Sequence, residues 1–154
     1  MNVYKFGGAS VKDADGVRNL LRVLKSEQQK DLLIVVSAMG KMTNALEVVV
    51  DNYFHDKESL EASIAGIFDY HKAIMDELFD NPSHEIYDLL QRRVEEMRAF
   101  LLTNKSSNHA FVYDQIVCFG ELLSTAIISA FLAESGVENT QEPRLNSSTP
   151  LAGG

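Results

Sequence analysis

Apolar positions set out a chain of two unequal parts. Residues 2–6, NVYKF, make a short β-prone run. Val17, Leu20, Leu21 and Leu24 then recur at helical spacing, which predicts a helix over roughly 13–28. DLLIVVS, residues 31–37, is continuously apolar and β-branched. Such a run suits a strand covered on both faces, as in a parallel sheet. AMGKMTN, residues 38–44, is a glycine-containing loop, and a helical stretch follows it. The order strand, loop, helix, strand, loop, helix predicts a right-handed βαβ unit and an α/β fold with a mainly parallel sheet flanked by helices.

The middle of the chain reads differently. Leu60, Ile64, Ile67, Phe68, Ile74 and Leu78 form one helical stripe, and Ile86, Leu89, Leu90, Met97 and Leu101 form another. DNPSHE separates them; Asn81 suits a helix cap and Pro82 a first turn, so two long antiparallel helices are expected. TNKSSN, residues 103–108, is a loop, and residues 110–134 are helical in pattern with a break expected near Gly120. Gly136 is placed to end that helix. From Glu138 the sequence turns polar and loses its apolar period. Residues 1–137 therefore read as one lobe and 138–154 as a tail or linker.

Charge narrows the partners. A net charge of −8 on 154 residues opposes nucleic acid or an anionic membrane as the main partner. No uninterrupted apolar run approaches the ~18 residues of a membrane span, and Lys5 with the glycine pair interrupts any signal-peptide core. The single cysteine, Cys118, excludes an internal disulfide and is expected as a buried helix residue. A cytoplasmic location follows from these features. His55, His71, His84 and His109 show no metal-ligand spacing, so no metal site is expected and all four are expected at the surface or at caps. Ser37 lacks the glycines of a nucleophile elbow, since Val35 and Met39 occupy those places.

The chemistry lies in the two glycine loops. In YKFGGASV, residues 4–11, a strand runs into two adjacent glycines. Glycine backbone can converge its N–H groups on an anion, a following helix adds its positive end, and Lys5 adds a mobile charge. Neither the P-loop nor the dinucleotide fingerprint is present, because Gly7 and Gly8 are adjacent and no third glycine follows in place. A plain strand-to-helix turn stays open as an alternative. VVSAMGKMTN repeats the arrangement after the second strand, and two such loops would face one crevice. Ser37, Thr43 and Asn44 equally suit capping of the next helix.

KFGGAS, VVSAMGKMTN and FGELLS (119–124) occur in the order and approximate spacing of aspartate kinases, so residues 1–137 resemble that group of the amino-acid kinase family. The helical hairpin between the second and third motifs is similar to that of the lysine-sensitive type and of forms fused to homoserine dehydrogenase. The resemblance implies a partial amino-acid kinase fold, a homo-oligomeric parent, and transfer of the γ-phosphoryl of ATP, with Mg²⁺, to the β-carboxylate of L-aspartate. It assigns Lys5 to neutralising the transferred phosphoryl and Lys5, Phe6, Gly7 and Gly8 to the nucleotide. It assigns Ser10, Ser37, Gly40, Thr43 and Glu121 to the substrate, with Glu121 pairing the ammonium of aspartate. Phosphoryl transfer to a carboxylate needs positioning and charge neutralisation rather than a strong base, which suits these residue types.

Two departures accompany the resemblance. Ala9 stands where the family has threonine, and the stretch after ESGVEN is polar where the family continues with a strand. The family's nucleotide-binding lobe and regulatory domains have no counterpart in these residues, so the chain is expected to be an N-terminal piece, inactive alone. A kinase of the same fold with another acceptor, and a folded piece without catalysis, are the alternatives.

Overall fold

The computed structural model describes residues 1–27 and 31–141. Strand β1 (Asn2–Phe6) leads through a single 3-10 turn (Gly8–Val11) into helix α1 (Ala14–Ser26). Strand β2 (Leu32–Val36) then precedes α2 (Met42–His55), α3 (Lys57–Leu78), α4 (Glu85–Thr103) and α5 (His109–Glu134). β1 and β2 pair in parallel, with Val3 opposite Leu33 and Lys5 opposite Val35. The expected βαβ unit is present, with α1 as its crossover.

The sheet has one covered face and one open face. Partners in parallel register point the same way. Phe6, Leu32 and Ile34 pack against the core beside buried Val36. On the other face Val3 is 60% exposed, and Leu33 and Val35 are each 39% exposed. The double cover expected of β2 is therefore realised on one side only, the side against which the described helices lie.

Capping decides several boundaries. Asp13 Oδ1 accepts from Gly16 N at 2.8 Å and starts α1. Arg18 of α1 donates to the carbonyl of Glu77 at 2.7 Å, tying α1 to the last turn of α3. Asp56 ends α2 and also caps α3. The cap of α4 is His84, not Asn81: His84 Nδ1 accepts from Ile86 N at 3.0 Å. Asn81 instead accepts from Ser83 N at 2.9 Å, and Pro82 lies in that turn, ahead of the helix.

The helical half carries most of the core. Ile64, Ile67, Met75, Leu90, Met97, Ile116, Leu123 and Ile127 are fully buried. Two expectations need correction, His71 at the surface or a cap and Cys118 in the core. His71 is 0% exposed, because it falls on the apolar stripe of α3. Its Nδ1 lies 2.8 Å from the carbonyl of Ile67, and its Nε2 has no hydrogen-bond partner among the described residues. Cys118 is half-buried rather than buried. His84 does cap, and His55 and His109 are exposed.

Helix α5 runs unbroken through Gly120. By length and composition alone this 26-residue helix, which holds an 18-residue stretch of mean hydropathy 2.0, suffices to cross a membrane. Glu121 interrupts the apolar run of this helix, yet the average stays high across it. In this fold α5 packs against α2 and α4. It ends at Gly136, whose φ of +91° is the left-handed conformation of a glycine stop. Asn139 then folds back and donates to the carbonyl of Ser129 at 3.2 Å. The remainder of the expected tail, 142–154, lies outside the described residues.

Candidate functional site

Each strand ends in a glycine turn, and the two turns are joined by backbone. Ser37 N donates to Phe6 O at 3.0 Å, and Gly40 N donates to Gly8 O at 3.0 Å. Gly8 must be glycine for this approach: a Cβ there would lie 2.8 Å from Gly40 O and 2.9 Å from Ala38 O. Gly40 has φ +54°, and a Cβ there would run into the hydroxyl of Tyr70. A Cβ at Gly7 would meet nothing within 4 Å, so the space beside that backbone is open.

Helix α2 begins at these turns without a side-chain cap. Met42 N bonds Met39 O at 3.0 Å and Ala45 N bonds Lys41 O at 3.1 Å. Ser37, Thr43 and Asn44 are exposed and do not cap, so the capping alternative falls. An uncapped helix start beside glycine amides favours an anion.

The other motif residues are placed as follows. Ser10 is exposed in the 3-10 turn, and its amide donates to Gly7 O at 3.0 Å. Thr43 sits in the first turn of α2. Glu121 is half-buried on α5, one residue after Gly120. A Cβ at Gly120 would lie 2.8 Å from Ala38 Cβ and 3.1 Å from Leu46 Cδ1, so α5 touches the second turn beside Glu121. Lys5 is exposed and in register with Val35, on the open face of the sheet. Among the described residues no hydrogen bond joins its ammonium to the turns. The structure thus gathers Phe6, Gly8, Ser37 and Gly40 directly, carries Thr43 and Glu121 to the same end, and leaves Lys5 at the margin.

Sequence reasoning missed Tyr70 of α3. Its hydroxyl donates to the carbonyl of Lys12, at the end of the first loop. Burial, then the charge of Asp13, raises the phenol above its ordinary value, which keeps it a donor. No spacing rule links residues 58 positions apart. The only sequence signal is an aromatic with a polar tip near the apolar stripe of α3.

An α/β unit with two interlocked glycine turns at its strand ends is the class that fold and site define. The model of the amino acid kinase family matches residues 1–145. Aspartokinase 1 of Arabidopsis thaliana chloroplasts is 32% identical over 150 residues, covering 90% of this chain and 24% of that protein. The chloroplastic bifunctional aspartokinase/homoserine dehydrogenase 1 of the same plant is 27% identical, with 90% and 16% covered. E. coli aspartokinase III, solved with lysine and aspartate, superposes with a TM-score of 0.77 at 25% identity, over 90% of this chain and 30% of that one. The same enzyme solved with aspartate and ADP gives the same values. The chain belongs to the amino acid kinase family. It spans a quarter or less of the two plant relatives' length.

Proposed function

We propose that residues 1–137 are the amino-acid-binding lobe of an aspartate kinase, which phosphorylates the β-carboxylate of L-aspartate with ATP. The observation that carries this is the bond from Gly40 N to Gly8 O beside an uncapped α2, which sets two amide-bearing turns against each other. The motif resemblance and the similarity to aspartokinases support the acceptor.

In the reaction a carboxylate oxygen of aspartate forms a bond to the γ-phosphorus while the bond from that phosphorus to the β–γ bridging oxygen breaks. The products are 4-phospho-L-aspartate and ADP. The open space beside Gly7 and the close-set Gly8 fit an oxyanion received on backbone amides. Lys5 swings in from the sheet margin to neutralise it. Ser10, Ser37 and Thr43 orient aspartate, and Glu121 pairs its ammonium. Mg²⁺ would come to this site with the phosphates of ATP and would supply neutralisation of charge on the phosphoryl oxygens. Ala9 leaves its amide but no hydroxyl at the cradle, which weakens phosphate binding without abolishing it. Residues 138–154 serve as a polar tail or linker, and the parent enzyme is a homo-oligomer in a reducing compartment.

Titrating the ¹⁵N-labelled chain with L-aspartate, and separately with inorganic phosphate, tests the site. Shifts should cluster at the amides of Gly7, Gly8, Ser37, Gly40 and Thr43, with L-glutamate giving weaker ones. Scattered shifts, or equal response to both amino acids, reject the assignment. In an enzyme completed by its second lobe, Lys5→Ala should cost about 10²–10³ in rate, as for one preorganised donor. The 154 residues by themselves should show no aspartate-dependent ADP release.

A further inference from the structure

We propose that Tyr70 is a positioning residue that fixes the separation of the two glycine turns from outside the sheet. It lies in α3, in the helical hairpin, which brings no other side chain to the turns among the hydrogen bonds seen here. Its hydroxyl donates to the carbonyl of Lys12, where the first loop passes into α1. The same oxygen fills the place a Cβ would take on Gly40, the left-handed residue of the second turn. One atom therefore bonds one loop and blocks the other from closing further. Gly40 in turn bonds back to Gly8 at 3.0 Å, and the first loop itself runs from Gly8 to Lys12, so the path from Tyr70 through both turns returns to Tyr70. Lys12 Cβ, 3.5 Å from the place of a Gly40 Cβ, completes the wall.

The arrangement turns helix packing into site geometry. α3 is anchored by buried Ile67, Ile74 and Met75 on the turns around Tyr70, so its phenol has a fixed origin. Loss of the hydroxyl removes the bond to the first loop and the stop against the second, while the ring still packs. A defect confined to the turns follows, not a loss of fold. The consequence for substrate rests on the aspartate kinase assignment; the geometric part does not.

Amide hydrogen exchange of the 154-residue chain separates the two. In Tyr70→Phe the Gly40 amide should exchange about tenfold faster, the factor for one hydrogen bond of ordinary strength. Leu90 and Val94 of α4 should be unchanged. An unaltered Gly40, or an equal acceleration everywhere, overturns the proposal. Titration with inorganic phosphate supplies the functional arm: Tyr70→Phe should need several-fold more phosphate for the same final shifts at Gly8 and Gly40. Equal affinity in both proteins overturns the positioning role. If the wild type does not respond to phosphate at all, the anion assignment fails, and the exchange result still decides Tyr70.

Discussion

The strand-and-turn half and the helical half are held together by different means. In the first, two short strands meet, one sheet face is open, and the turns are joined by single backbone bonds and one phenol. In the second, α3, α4 and α5 share a continuous buried core. Apolar burial is non-directional and tolerant, so it gives stability without fixing atoms to tenths of an ångström. Glycine turns locked by hydrogen bonds give position with little stability. The molecule separates the two tasks, and the helices lend rigidity to the turns through a few contacts.

Substitutions can break this division. The largest effect is expected in the helical core: Leu90→Ala or Ile127→Ala should cost about 2–5 kcal/mol in urea unfolding. Phosphate shifts at the turns should persist in whatever fraction stays folded. Next comes Gly40→Ala, which meets an unfavourable φ costing roughly 1–2 kcal/mol and the Tyr70 hydroxyl besides. It should remove phosphate binding while the chain still unfolds cooperatively. If the core substitution erased the phosphate response of folded molecules, or Gly40→Ala left it intact, the two halves would not be separate in function.

A third prediction concerns His71. Burial lowers its pKa, and the bond to the Ile67 carbonyl opposes this only in part. The native state then holds fewer protons than the unfolded chain, whose histidine titrates near ~6.5. Its stabilising share is whole above that value and falls as pH drops below it, by at most about 1.4 kcal/mol per pH unit for one proton. Urea midpoints between pH 7.5 and 5.5 should show that slope, and His71→Leu should flatten it; an unchanged slope means another group titrates. The smallest effect is expected at Arg98, which bonds Glu61 and Glu95 on the surface. Arg98→Ala should cost under about 1 kcal/mol and shift nothing at the turns.

The sequence showed local features well and distant ones poorly. β1, β2 and the spans of α1, α3 and α4 follow from period and composition, which act over a few residues. Gly136 was legible as a stop because its φ is a local demand. The cap of α4 was misplaced because Asn81 and His84 both offer an acceptor, and only the path of the chain decides between them. A break at Gly120 was a reasonable local inference. Its glycine instead serves a contact with Ala38, 82 positions earlier. At His71 residue type points to the surface while its place on the stripe of α3 buries it, and the stripe decides. The motif residues were legible through the family resemblance. Their mutual bonding, and Tyr70, were not, since neither has a local signature.

Gly120 carries one more implication. Because α5 meets the second turn through bare backbone, the distance between them is set by an atom that is missing. Alanine, serine and valine at this place would act as shims of rising thickness, lifting the helix stepwise off Ala38. Each should shift the Glu121 carboxylate outward from the second turn. A single codon thus offers a graded dial on the distance between the two.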